Sequence, residues 1–214
     1  MSFKIAVDGP AASGKGTLAK TLAMALSYDY LDTGTLYRAV ARDVLAAKIS
    51  PDNNADALDD IVAIAQNLTL PIDNDDSLRT SEVAKIASKI AVLTAVRDAL
   101  FEKQRAFANN PPSGKGAVLD GRDIGSVILP DADVKFYIDA ALDVRARRRF
   151  LELSATDDTI TQAQILADLT QRDARDKTRT TAPLKPADDA IIIDTSELSA
   201  QDVLQLALNH VKSL

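Results

Sequence analysis

The sequence contains no cysteine and only one histidine among its 214 residues. Without cysteine there can be neither a disulfide framework nor a thiolate metal site, so a reducing cytoplasm is the expected compartment. No apolar run approaches the ~20 residues that a membrane-spanning helix requires, and the N-terminus has no apolar stretch typical of a secretory signal. We therefore predict a cytoplasmic protein that does not bind membranes.

The chain also has little excess positive charge, because its formal net charge is −6. This balance argues against broad electrostatic binding to nucleic acid. Arginines are nevertheless concentrated in residues 145–149 and 172–179. Local positive charge on an acidic protein indicates a small anionic ligand, so the expected partners are small molecules. We also expect a monomer.

Short apolar runs alternate with longer segments of helical periodicity, which predicts an α/β fold. The predicted strands are residues 4–7, 28–31, 117–119, 135–138 and 190–193. The predicted helices are residues 15–26, 33–47, 54–66 and 81–107, one that begins near 142, one over 161–176 and one over 199–212. Near-continuous hydrophobic strands are typical of a parallel sheet covered on both faces. We expect a five-stranded parallel sheet flanked by helices, in a single domain over residues 1–214.

The tetrapeptide SGKG occurs twice, at residues 13–16 and 113–116. In the first copy Gly9, four residues, Gly14 and Lys15 give the spacing of a phosphate-binding loop between a strand and a helix. Backbone N–H groups and the helix N-terminus would face the phosphates, and Lys15 would reach the β- and γ-phosphates. The second copy precedes a strand and has Asn109 at the position of Gly9, which predicts a surface turn.

The phosphate loop alone predicts only that a nucleoside triphosphate binds. Its predicted contacts are Gly9, Pro10, Ala11, Ala12, Ser13, Gly14, Lys15, Gly16 and Thr17. The residue after the lysine is usually Ser or Thr, whose hydroxyl binds Mg²⁺, but here it is glycine. The sequence GKGT is typical of small-molecule and nucleoside monophosphate kinases. The pattern leaves three candidates to bind Mg²⁺, directly or through water: Thr17, Asp32 and Asp120.

The phosphate acceptor must be recognised elsewhere, and three stretches with arginine indicate where: LDTGTLYR (31–38), LDGRDIG (119–125) and LTQRDARDKTR (169–179). In the third, helical spacing places five residues on one stripe: Ile165, Leu169, Arg172, Asp176 and Arg179. Charges that continue a core-facing stripe are costly unless they are paired or bound to ligand. Together with Arg38 and Arg122, these arginines predict a site for an anionic acceptor. The arginines of 145–149 form either a lid over the transferred phosphoryl group or a solvated helix face.

The chain resembles the bacterial cytidylate kinases over residues 6–195. The matching stretches are DGPAASGKGTLAK, LDTGTLYR, RTSEVAKIAS, VRDAL, KQRAF, LDGRDIGSVILPDADVKFYIDA and QRDARDKTRTTAPLKPADDAIIIDT. The resemblance implies a core of five parallel strands, a CMP-binding insert at about 33–107 and a lid at 143–160. It also implies transfer of the γ-phosphoryl group of ATP to CMP or dCMP with Mg²⁺.

The resemblance carries roles to individual residues. The implied CMP contacts are Arg38 and Arg122 at the phosphate, Thr33, Arg97, Asp123 and Arg179 around the cytosine, and Ser88, Arg172 and Asp176 near the pentose. The implied catalytic residues are Lys15, Arg122, Arg148 and Arg149. The chain departs from the family at Thr33, where serine is usual, and between Leu68 and Arg79, where the insert is shorter and its small sheet is expected to be truncated or absent.

One pair of these assignments constrains the structure. Ser88 and Arg97 are nine residues apart, about half a turn out of phase on a straight helix. If both face one nucleotide, the helix must break between them, and Thr94 is a candidate to cap the second segment.

Two other classes of function remain open from the residues alone. One is a kinase for another acceptor, such as a different nucleoside monophosphate or a hydroxy acid. The other is a P-loop switch that binds a nucleotide to control a partner. Gly16 at the usual Mg²⁺-binding position and the lack of a guanine-reading NKxD motif argue against the switch.

Overall fold

The computed structural model describes residues 2–51, 55–72, 76–155 and 158–213. The chain forms two compact units: a first unit of Met1–Leu31 and Ala108–Leu214, and a second unit of Asp32–Phe107. The second unit nearly coincides with the segment 33–107 that the resemblance assigns to CMP binding. Residues 73–75 of the shortened insert and residues 156–157 of the predicted lid lie outside the described residues. None of the helices in the described ranges is long and apolar enough to cross a membrane.

The strands and helices follow the predicted alternation. The strands are β1 (Phe3–Asp8), β2 (Asp29–Asp32), β3 (Gly116–Gly121), β4 (Val134–Asp139) and β5 (Ile191–Asp194). The helices are α1 (Lys15–Leu26), α2 (Thr33–Ala46), α3 (Ala55–Asn67), α4 (Ser81–Ile90), α5 (Thr94–Asn109), α6 (Leu142–Ser154), α7 (Gln162–Thr178) and α8 (Ala200–Lys212). A 3₁₀ turn at Asp76–Arg79 and a π-helical turn at Ile124–Ile128 were not predicted.

The strands form one five-stranded sheet in the order β2-β3-β1-β4-β5. β1 pairs in parallel with β3 and with β4, and β4 pairs in parallel with β5. This confirms the predicted parallel α/β class. Because β1 is central, its carboxyl end lies between the ends of β3 and β4, and residues that follow these strands share one edge of the sheet.

Packing of α1 against the sheet fixes the start of the phosphate loop. Buried side chains of β1, α1 and β4 form the core of the first unit, among them Ile5, Val7, Leu22 and Phe136. Burial of each large aliphatic or aromatic side chain contributes about 1.5–3 kcal/mol, so this core can hold the polar loop at its rim.

The predicted helix over 81–107 is interrupted. α4 ends at Ile90 and α5 begins at Thr94, which confirms the break that Ser88 and Arg97 required. Thr94 is the first residue of α5, whose first helical hydrogen bond runs from the Arg97 amide to the Leu93 carbonyl at 3.1 Å. The capping role of Thr94 stays a prediction.

Candidate active site

The phosphate loop joins β1 to α1 in the first unit. A Cβ on Gly9 would lie 2.0 Å from the carbonyl oxygen of Ile138, so the backbone approach there requires glycine. Gly14 has φ +90° and directly precedes α1, whose first helical bond runs from the Leu18 amide to the Gly14 carbonyl at 3.0 Å. Since Gly14 has no side chain to cap α1, the first amides of the helix remain available to phosphate oxygens.

Lys15 and Asp120 form a charge pair at this loop. The Nζ atom of Lys15 lies 3.4 Å from Oδ2 of Asp120, whose side chain is 3% exposed. The other oxygen, Oδ1, accepts a hydrogen bond from the Tyr30 hydroxyl at 2.8 Å. The lysine is thus held at the carboxyl end of β3, beside the loop that would carry the phosphates.

The metal candidates are distributed unevenly. Thr17 lies in the first turn of α1 and is exposed, whereas Asp120 is buried beside Lys15. Asp32 belongs to the second unit, where its Oδ2 lies 3.2 Å from Nη1 of Arg38. The described residues contain no cluster of three or more acidic, histidine or cysteine side chains suited to a metal ion.

Two ion pairs bring the predicted acceptor residues of the first unit together. Nε of Arg122 donates to Oδ2 of Asp176 at 3.0 Å, and Nη2 of Arg179 donates to Oδ1 of Asp123 at 3.2 Å. The side chains of Asp123 and Arg179 are 8% and 5% exposed. Arg122 and Asp123 directly follow β3, and Asp176 and Arg179 lie in the last turn and at the C-cap of α7. The charged end of the predicted α7 stripe therefore faces the loop after β3, and the half-buried Arg172 lies on the same helix.

Arg145 is a buried residue of α6 that donates to the backbone of the phosphate loop. Its Nη2 donates to Oδ2 of the buried Asp173 at 2.6 Å, its Nη1 to the Ala11 carbonyl at 3.2 Å and its Nε to the Ala140 carbonyl at 2.9 Å. The open alternatives for 145–149 were a lid or a solvated face, and Arg145 is neither. Asp173 was not among the predicted site residues, although its spacing of four from Leu169 puts it on the buried face of α7.

Arg148 and Arg149 have different surroundings. Arg148 donates to Oγ1 and the carbonyl oxygen of Thr195, at 2.9 and 2.6 Å, and the Thr195 hydroxyl donates to the Ser13 carbonyl of the phosphate loop at 2.9 Å. Arg149 lies 2.7 Å from Glu152 on the partly exposed face of α6. Arg148 therefore connects to the phosphate loop through Thr195. Arg149 instead forms an ion pair with Glu152 on its own helix.

The remaining predicted contacts lie in the second unit. Thr33 is the buried first residue of α2, and Arg38 on that helix is half-buried beside Asp32. Ser88 lies near the end of α4. Arg97 is 6% exposed and its Nη1 donates to the Ala91 carbonyl at 3.3 Å, inside the break between the two helices.

The second copy of SGKG is the surface turn that its context predicted. Ser113, Gly114 and Lys115 are exposed, and Gly114 has φ +70° in a turn closed by its amide on the Pro111 carbonyl at 2.8 Å. The first copy alone lies between a strand and a helix, so it is the candidate phosphate site.

Comparison with known proteins decides the family. The family model for cytidylate kinase matches residues 5–213. The chain belongs to the cytidylate kinase family. A cytidylate kinase from Paramagnetospirillum magneticum is 47% identical, over 100% of this chain and 99% of the relative. One from Brucella suis is 50% identical, over 93% of this chain and 88% of the relative.

A solved structure of an uncharacterized protein from Eubacterium ventriosum has a TM-score of 0.58 at 13% identity, with all of both chains covered. This likeness supports the fold alone. Membership of the cytidylate kinase family confirms the resemblance found in the sequence and shows that the chain is a kinase. The roles of individual residues in this cytidylate kinase fold stay predictions.

Proposed function

We propose that this protein transfers the γ-phosphoryl group of ATP to CMP or dCMP, with Mg²⁺, and releases ADP and CDP or dCDP. The main support within the site is the pair of buried contacts Arg122–Asp176 and Arg179–Asp123 at the strand edge beside the phosphate loop. These contacts support an acceptor site there, with two arginines and two carboxylates to bind it. A guanidinium has five N–H donors, so an arginine that pairs with a carboxylate can also donate to an anionic acceptor.

The proposed chemistry needs no general base. The nucleophile is an oxygen of the CMP phosphate, which is mostly dianionic at neutral pH because its second pKa is about 6. This oxygen forms the new bond to the γ-phosphorus, and the bond to the β-phosphate oxygen of ATP breaks as ADP leaves. Catalysis then consists of alignment and neutralisation of charge, for which Lys15, Arg122, Arg148 and Arg149 are the proposed cations.

Asp123 is the proposed reader of the base. Cytosine has an exocyclic amine that can donate to a carboxylate, whereas uracil has a carbonyl at the same position. Two acceptors would then face each other, and such a site can discriminate by up to ~10⁴–10⁵-fold. The Arg179 contact supports this role because it holds one carboxylate oxygen of Asp123 in place.

Magnesium fits the oxygen donors of the first unit. Mg²⁺ usually keeps several waters and binds one or two protein oxygens together with substrate phosphates. Asp120 pairs with Lys15, and Thr17 lies two residues after Lys15 in the sequence, so both offer oxygen atoms near the phosphate loop. Asp32 is the third candidate. A bound Mg²⁺ would supply positive charge that offsets the charge of the ATP phosphates.

The other predictions from the resemblance are part of the proposal. ATP would bind at residues 9–17, and in the second unit Thr33, Arg38, Ser88 and Arg97 would contact CMP. Arg172 would approach the pentose. A monomeric state and a cytoplasmic location are also proposed.

An acceptor panel tests this function. ADP release would be followed with CMP, dCMP, UMP, AMP, GMP and a hydroxy acid as acceptors, with Lys15→Ala as the control. The expected result is rapid turnover with CMP or dCMP, slow turnover with the others and little with Lys15→Ala. Faster turnover with another acceptor would overturn the proposal, and so would nucleotide binding without CMP-dependent turnover.

A further inference from the structure

Asp8 is buried between the phosphate loop and the segment that follows β3. It is the last residue of β1, directly before Gly9, and it is 4% exposed. Its Oδ1 accepts a hydrogen bond from the Ile124 amide at 2.8 Å, and its Oδ2 accepts one from the Gly125 amide at 2.7 Å. Both distances are in the short range of charge-assisted hydrogen bonds. One carboxylate thus fixes two consecutive amides of a distant segment.

These two amides directly follow Arg122 and Asp123. The parallel pairing of β1 with β3 ends at the pair Asp8 and Gly121, so sheet hydrogen bonds no longer fix the chain beyond that point. The π-helical turn begins at Ile124, and its first i→i+5 bond runs from the Ile128 amide to the Asp123 carbonyl at 3.2 Å. Beyond the end of the sheet, the hydrogen bonds to the Asp8 carboxylate therefore hold the chain in place.

The local packing fits a carboxylate and a glycine. A Cβ on Gly125 would lie 3.1 Å from Cδ of Lys135 and 3.4 Å from Oδ2 of Asp8, which is close contact on both sides. Asparagine at position 8 has one acceptor oxygen and an NH₂ group, which would face an N–H donor. Only a carboxylate supplies two acceptors at this position without a change of shape.

We propose that Asp8 is a positioning residue for the acceptor nucleotide: it holds the segment after β3 so that Arg122 and Asp123 meet the phosphate and base of CMP. This inference rests on the proposed function. Asp8 would act through these two residues and would not touch the substrate itself. Its loss should therefore affect CMP more than ATP.

The pKa of Asp8 leaves its carboxyl about half ionised at neutral pH and mostly ionised above it. Burial raises the pKa of Asp8 to about 7, and the Ile124 and Gly125 amides act against that rise. Asp123 raises the pKa of Asp8 further, and Lys15 lowers it. Tyr137 on β4 also faces this region, but burial raises the pKa of its phenol to about 12, so it stays neutral.

The test compares Asp8→Asn with Asp133→Asn. Asp133 is a matched control, because its exposed carboxylate accepts the Lys4 amide at 2.8 Å at the opposite end of β1. In Asp8→Asn we expect KM for CMP to rise roughly tenfold or more and the CMP-to-UMP ratio of kcat/KM to fall roughly tenfold, the effect of one lost hydrogen bond to a charged group. KM for ATP should change by less than about twofold, and the control should match the wild type.

Two outcomes would overturn the role of Asp8. One is a lower Tm with unchanged CMP parameters, and the other is an equal rise of both KM values with an unchanged CMP-to-UMP ratio. If the variant does not fold, a measurement on the wild type still tests the proposal. Titration of the wild type with CMP should shift the NMR resonances of the Ile124 and Gly125 amides, and no shift would contradict the proposal. If the wild type does not phosphorylate CMP, the proposed function itself fails, so the two failures are distinguishable.

Discussion

The role of Asp123 gives a quantitative prediction about base selection. Replacing Asp123 by Asn keeps the shape of the side chain and leaves an oxygen for Arg179, which lies 3.2 Å from Oδ1. On the proposed role, the variant would lose a charge-assisted bond to the cytosine amine, worth about 1.5–3 kcal/mol. Its amide can also donate to the uracil carbonyl, so the repulsion against UMP becomes a hydrogen bond.

The two effects act in the same direction on specificity. If each contributes about 1.5 kcal/mol, the CMP-to-UMP ratio of kcat/KM falls by roughly 10²-fold, since about 1.4 kcal/mol corresponds to tenfold. The assay is ADP release at several CMP and UMP concentrations, with Asp131→Asn as a control because Asp131 pairs with Lys4 on the surface. An unchanged ratio in Asp123→Asn would refute the assignment of base recognition to this carboxylate.

Three further predictions concern catalysis, packing and pH. Lys15→Ala should reduce kcat for CMP by roughly 10³-fold or more, and near-normal kcat would contradict its role at the phosphates. Asp173→Ala should lower the free energy of unfolding by about 3–5 kcal/mol, because it leaves the Arg145 guanidinium buried without its partner. Urea unfolding measures this loss. A loss below about 1 kcal/mol would show that the pair contributes no more than a surface ion pair. For Asp8 the folded pKa of about 7 lies above the model-peptide value of 3.8, so the native state holds its proton in that interval and is destabilised as pH rises. The stability of the wild type relative to Asp8→Asn should therefore fall by about 2–3 kcal/mol between pH 5 and 8, and a pH-independent difference would contradict a raised pKa.

The elements were predictable where hydrophobic periodicity is strong. All five strands lie within two residues of their predicted positions, and α1 begins at Lys15 as predicted from the glycine spacing. The capping pairs Thr161 with Gln164 and Ser199 with Asp202 explain why the starts of α7 and α8 were also accurate. These signals are local, so one sequence is enough to carry them.

Contacts between distant segments were not predictable in the same way. The Arg145–Asp173 pair joins residues 28 positions apart on two helices, and no local spacing marks it. The two bonds of Asp8 depend on the π-helical turn at Ile124–Ile128, which has no distinct pattern in the sequence. The break between α4 and α5 contains only Ala91, Val92 and Leu93, without Gly or Pro, so it followed from the resemblance and not from turn residues.

The most direct test of the account is detection of the phosphorylated product. Purified protein would be incubated with ATP, CMP and Mg²⁺, and the mixture followed by ³¹P NMR. The account predicts that CDP and ADP appear together in equal amounts. Formation of ADP and inorganic phosphate without CDP, or no consumption of CMP at all, would contradict it.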